Sequence, residues 1–384
     1  MATLRAPPLE PLRPEDVGGF KYLRSIQDLL TPLRDPAAHG NRDLFMDQYV
    51  SLLLLYFFNP VLTGLRSLQQ ALGLENVQAA VGVKALSLGA LSRNGGYVFD
   101  PELLLPILEQ VSQRARQEVP AAPHPTLEQT PLAVIAADGS FLRALPAMVW
   151  ALFRRHSDHR GVKLHLQLDV RTGVPVHASL GEACSSEKKA LAKALRTEAL
   201  YLLDRGYIDY ALFQKIHAAG SRFVARLKRN SAYQVLRERP LTPADQAAGV
   251  LADQEVALGS AFTAGDLTAP VRRLVIEGPD GARIVLLTDT DLPAHVIADL
   301  YRWRWQVELF FRWFKCILGC THWLSRTRQG LTLQVYVALL ASMLIALWTG
   351  KKPTKRTFEM LCLYFQGWAK PAELAAHLEG LKKL

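Results

Sequence analysis

The sequence is short of cysteine, of long uninterrupted apolar runs and of acidic charge, and each shortage removes a class of protein. The four cysteines, Cys184, Cys316, Cys320 and Cys362, do not fall into a zinc-binding spacing, so reduced structural thiols are expected. The apolar runs at Tyr49 to Phe58 and Val335 to Trp348 stop short of the roughly 18 to 20 continuous residues that a bilayer requires. The opening MATLRAPPLEPLRPEDVGG places prolines and acids where a secretory signal would be apolar. A cytoplasmic protein without a membrane partner is the expectation. Acids number 35 against 45 Lys and Arg, a net charge of +10, and this balance favours a polyanionic partner such as nucleic acid.

What is present is a large apolar content, 49% of 384 residues, enough for two or three structural units. Residues 1–125 read as a helical N-terminal unit, with an apolar helix from Asp47 to Phe58 and a second that starts at the N-cap Asp100 and Pro101. The proline-rich stretch 117–131 reads as a linker. The period then changes. LAVIAAD (132–138) is a buried-strand run, KLHLQLDV and VPVHASL flank Arg-Thr-Gly as a hairpin, and Glu187 to Leu195 is helical. A strand over 199–203 ends at Asp204, Asp209 caps a helix that Gly220 stops, and RFVARLK follows as another strand. Together, 126–229 predict a mixed sheet with flanking helices. Residues 230–283 read as a β-rich insertion, 284–350 return to strand and helix, and 351–384 form a basic helical tail.

The stretch 301-YRWRWQVELFFRWFK-315 carries charge through an aromatic segment. At about 100° per residue, Tyr301, Arg304, Glu308 and Lys315 fall on one helical stripe about 60° wide, opposite Trp303, Val307, Phe310, Phe314 and Ile317. Such a column is solvated, internally paired through Arg304 and Glu308, or in contact with a charged ligand. Asp138 and Asp204 each follow an apolar strand run, where their side chains can converge with Glu308. Three carboxylates suffice for two hard divalent cations. His156-Ser157-Asp158-His159 reads as surface loop rather than a metal site.

These residues resemble the DDE transposases of bacterial insertion sequences in the group named for a Tyr-x2-Arg-x3-Glu-x6-Lys signature. Tyr301, Arg304, Glu308 and Lys315 match its spacing, and Asp138-Gly139-Ser140 and Asp204-Arg205-Gly206-Tyr207 match the contexts of its first two acids. The resemblance covers about residues 130 to 350. It implies an α/β (α+β) fold: an RNase H-like mixed sheet with flanking helices, a β-rich insertion before the third acid and a helical N-terminal unit. It also implies cut-and-paste transposition, with two Mg2+ ions (Mn2+ able to replace them) held by Asp138, Asp204 and Glu308. Tyr301, Arg304 and Lys315 would contact DNA phosphates, and the basic Arg326 and Arg328 are further candidates for that contact. The implied partners are double-stranded DNA, both terminal inverted repeats and target, and a second copy of the chain in a homodimer, with the protein associated with the bacterial nucleoid. In this family an insertion aromatic assists a hairpin step, but no Trp occurs between Asn230 and Ala282. A DNA-binding relative without catalysis and a stand-alone metal-dependent nuclease are the alternatives.

Overall fold

The computed structural model describes residues 21–34, 42–121, 124–151, 160–228, 231–258, 271–278, 281–318 and 323–380. Cys320, Arg229 and the His156 to His159 segment lie outside the described residues. The chain divides into two compact units, one made of Met1–Pro120, Leu142–Val162 and Phe310–Leu384, the other of Ala121–Phe141 and Lys163–Leu309.

The second unit is organised by the sheet. Its strands are β1 (Ala133–Arg143), β2 (Gly161–Asp169), β3 (Val174–Glu182), β4 (Ala199–Leu203), β5 (Arg222–Arg226), β6 (Tyr233–Glu238), β7 (Val250–Leu258), β8 (Val271–Glu277) and β9 (Arg283–Thr288). They lie in the order β3-β2-β1-β4-β5-β9-β8-β7-β6. β1, β4 and β5 run parallel, and β9 joins β5 antiparallel. The first five strands thus have the mixed, RNase H-like order that the sequence implies. β2 and β3 form the expected hairpin, with Gly173 in the left-handed region at φ 71°.

One face of this sheet is sealed by two helices, Glu187–Lys193 and Tyr210–Ala218. Ile135, Tyr201, Phe213, Ile216 and Phe223 meet there in one apolar cluster, with Phe213 stacked on Phe223 at 4.1 Å. The Tyr210–Ala218 helix has the ends read from sequence. Asp209 accepts the Leu212 N–H at 3.1 Å, and Gly220 follows the last turn at φ 72°.

Three features add to expectation or differ from it. The β-rich insertion, which sequence leaves unplaced, joins the main sheet: β6 to β8 continue it as an antiparallel extension through β9, which pairs directly with β5. The segment read as a linker contains the short helix Pro125–Glu128, with Leu127 buried and the Thr126 hydroxyl donating to Asp299. The run Val335 to Trp348 is part of a longer helix, Arg328–Thr349, because Thr327 caps it upstream by accepting the Gly330 N–H at 3.1 Å. At 22 residues that helix is long and apolar enough to cross a membrane, contrary to the sequence expectation, yet 94% of its apolar window is buried inside the protein. It packs on the Met46–Phe58 and Leu105–Glu118 helices of the first unit. Nearby, Tyr22, Phe58, Trp348 and Phe365 form an aromatic cluster in which Tyr22 and Phe365 stack at 4.4 Å.

Candidate active site

Strand register brings the first two acids together. β1 and β4 pair from Ala133 with Ala199 to Ala136 with Leu202, and the same offset carried two residues onward sets Asp138 level with Asp204. Neighbouring strands lie about 4.8 Å apart, and residues two apart share a face. Both aspartates therefore leave the sheet on the face opposite the Ile135 and Tyr201 cluster. Asp204 directly follows β4, as the sequence suggests. Asp138 does not end a strand, because β1 continues through it to Arg143. Its Oδ1 accepts the N–H of Gly139 at 2.7 Å.

The third acid comes from the aromatic stretch, which is two helices rather than one: Ala294–Trp303 and Trp305–Leu318. At the junction the ladder switches to shorter steps, with Arg304 N–H donating to Tyr301 O at 3.2 Å and Val307 N–H to Arg304 O at 3.3 Å. No Pro or Gly marks this change. Tyr301 is consequently buried, not on an open polar stripe. Arg304 Nη2 donates to Glu308 Oε1 at 2.7 Å, and its guanidinium lies 5.8 Å from the Tyr301 ring centroid. The Arg304 side chain is only 12% exposed, so this is a partly desolvated pair rather than a solvated helix face.

The acids share one field. Burial raises the Asp138 carboxyl to about 6, opposed by its Gly139 hydrogen bond and reinforced by the negative charges of Glu187 and Glu308, with Arg304 pulling the other way. Burial works against the Arg304 guanidinium, but Tyr301, Glu308 and Asp204 overcome it and strengthen its charge. Tyr207 stays protonated well beyond the ordinary range, through burial first and then Glu187, Asp138 and Asp204.

A family model described as the transposase DDE domain matches residues 98–344, which enclose all three acids. The chain belongs to the transposase DDE domain family. Three curated relatives are inferred transposases. One from Sinorhizobium fredii is 35% identical over 48% of this chain and 53% of its own, and an insertion-sequence transposase from Geobacillus stearothermophilus is 24% identical over 54% of each. A third, from Synechocystis, is 20% identical over 88% of this chain and 91% of its own. The chain thus spans about half the length of the first two relatives. A solved piggyBac transposase synaptic complex with hairpin DNA aligns at a TM-score of 0.46 and 13% identity, over 92% of this chain and 79% of that one.

The candidate donors Asp138, Asp204 and Glu308 offer carboxylate oxygen, the ligand type that suits a hard divalent cation. Asp138 is held up at about 6 mainly by burial, with Glu187 and Glu308 adding to the rise and Arg304 opposing it. Among the described residues, no group of three or more His, Cys, Asp or Glu side chains is placed to hold a metal ion together, so Asp138, Asp204 and Glu308 do not form a ready metal cluster. Burial makes the charged form of Asp138 costly to the folded protein. A carboxyl whose folded pKa exceeds its unfolded one binds protons more tightly when folded, so stability falls as pH rises from about 3.8 to about 6. Metal-free Asp138→Asn is expected to unfold later than the parent above pH 6, by roughly 1–3 kcal/mol, with the difference vanishing below about pH 4. Thermal melts in EDTA across that range would check this.

Glu187, Lys163 and Tyr207 lie near the candidate acids without being singled out for that place by the sequence motifs. Glu187 appears in sequence only as the start of a helix, and Tyr207 only as the last letter of a motif. Lys163 Nζ lies 3.1 Å from Glu187 Oε1. Lys315 follows Glu308 on the Trp305–Leu318 helix. Arg326 and Arg328 belong to the first unit and are exposed, with the Arg326 carbonyl accepting the Trp150 indole N–H at 2.5 Å. Arg328 opens the Arg328–Thr349 helix, where a cation opposes the helix dipole, so its charge is not there for helix stability.

Proposed function

We propose that this DDE domain cuts and joins DNA at the ends of a transposable element, as a member of the Tyr-Arg-Glu-Lys signature group. The observation that carries the reading is the strand register that sets Asp138 level with Asp204, with the charge of Glu308 acting on Asp138. Asp138, Asp204 and Glu308 would hold two Mg2+ ions, with Mn2+ able to replace them. When bound, such ions supply Lewis acidity and make a water or a DNA 3′-hydroxyl a usable nucleophile. No side chain of the protein acts as nucleophile.

The other signature residues manage phosphate. Arg304, on giving up part of its hold on Glu308, offers a planar guanidinium to a phosphate beside the scissile bond, and Lys315 adds a point charge. The Tyr301 hydroxyl, which burial pushes up to about 12, remains a donor at any working pH. Arg326 and Arg328 extend phosphate contact along the duplex. The partners are double-stranded DNA, inverted repeat and target, and a second copy of the chain. The helical N-terminal unit recognises the repeats, and the protein works in the cytoplasm on the nucleoid.

A second reading, DNA binding without cutting, draws on the Arg304 to Glu308 pair, which already occupies one Glu308 oxygen. Incubating the protein with Mg2+ and linear DNA that carries the element's terminal inverted repeats separates the two. Nicks and joined strands support transposition, whereas binding without products supports the silent relative. In the same system Arg304→Ala should weaken end binding and lower the salt slope of affinity by about 1, as measured by titration at several ionic strengths. An unchanged slope removes the phosphate role.

A further inference from the structure

Glu187 opens the Glu187–Lys193 helix on the sheet face opposite the aspartate side chains, and Lys163 anchors it at 3.1 Å. Its carboxylate fills space left by two glycines. A Cβ on Gly139 would stand 2.6 Å from Oε1, and one on Gly206 would stand 3.4 Å from Oε2. Neither glycine has left-handed backbone, so it is room and not conformational freedom that glycine provides here. Gly139 directly follows Asp138, and Gly206 comes two residues after Asp204. One carboxylate thus abuts both chain segments that carry the paired acids.

The space beside it is mostly apolar, with a few polar groups in its wall. Asp138, His165, Gln167, Glu187 and Tyr207 line a narrow cleft. His165 and Gln167 are 7% and 3% exposed, yet His165 Nδ1 and Gln167 Oε1 find no hydrogen-bond partner among the described residues. Buried polar atoms of this kind call for a polar occupant, a water at least. The region behind Asp138 thus holds two buried polar atoms without protein partners, with the Glu187 carboxylate in the same cleft wall.

We infer that Glu187 is a positioning residue. Wedged against Gly139 and Gly206 and tied to Lys163, it sets how Asp138 and Asp204 stand relative to each other and so tunes their hold on a divalent cation. The inference rests on the proposed metal-binding role of the two aspartates. Outer residues that orient metal ligands typically change metal affinity by about 10- to 100-fold when lost.

The test is Mn2+ binding to the purified full chain, counted as free ion by electron paramagnetic resonance, without DNA or turnover. Glu187→Ala is expected to weaken Mn2+ binding about tenfold. Gly139→Ala should do the same by displacing Glu187, whereas adding Gly139→Ala to Glu187→Ala should cost nothing further, because the added methyl then meets no carboxylate. Equal losses from Gly139→Ala in both backgrounds would overturn the inference. So would wild-type affinity in Glu187→Ala or, if that variant does not fold, in Glu187→Gln, which keeps the volume and gives up the ion pair. If the parent protein itself binds no Mn2+, the metal reading of the aspartates fails first and the inference falls with it. Normal parental binding with an unaffected Glu187 variant sinks the inference alone.

Discussion

Asp204→Asn is expected to leave no detectable nicking or joining at transposon ends while end binding survives. The substitution keeps the shape of the side chain that follows β4 and removes its charge, so the sheet has no reason to change. What it removes is one of two carboxylates that the β1 and β4 register sets level. A hard cation shared between them loses an anionic ligand. The expected loss is on the order of a thousandfold or more, about 4 kcal/mol of transition-state stabilisation. Gel-shift affinity for the same DNA should change little, since phosphate contact depends on the basic residues. Residual cleavage near the parental rate would remove Asp204 from the chemistry.

The second large effect concerns stability. Arg272 on β8 and Asp253 on β7 are 7% and 5% exposed, joined by Nη2 to Oδ2 at 2.6 Å and Nε to Oδ1 at 3.3 Å. The same guanidinium donates to the carbonyls of Thr290 at 3.0 Å and Leu292 at 2.6 Å. Arg272→Ala would strand a buried carboxylate and two carbonyls together. A loss of about 3–5 kcal/mol is expected, seen as a lower urea midpoint with an unchanged slope. Arg272→Met combined with Asp253→Leu should recover the part due to the stranded carboxylate, because two apolar groups leave no unpaired charge, while the Thr290 and Leu292 carbonyls stay unpaired. Those carbonyls precede the Ala294–Trp303 helix, so the pair ties the insertion strands to the segment that leads to Arg304 and Glu308. A weakened anchor is expected to reduce cleavage as well.

The parts of the structure that sequence disclosed are those with local causes. Alternation points to β2 and β3, Asp209 and Gly220 mark both ends of one helix, and the continuous apolar runs before Asp138 and Asp204 mark β1 and β4. Long-range pairing is not legible: nothing local says that Arg283–Thr288 should join β5 and so carry the β-rich insertion on as an extension of the same sheet. The break at Arg304 was missed for a related reason, since Trp-Arg-Trp contains no helix breaker and a uniform helical wheel passes straight through it. Glu187 was hidden because its role depends on two glycines more than 45 residues before it and 19 after it, and a helix-opening acid has an ordinary explanation of its own.

The Arg328–Thr349 helix carries a mean hydropathy of 2.0 over its apolar window, enough to be taken for a membrane span while it is still unfolded. Its packing partners, Met46–Phe58 and Leu105–Glu118, lie far upstream and leave the ribosome well before it does. The order of synthesis thus prepares a sheltered berth for this strongly apolar segment. A circular permutant that made this helix first would meet the cell's insertion machinery without that shelter.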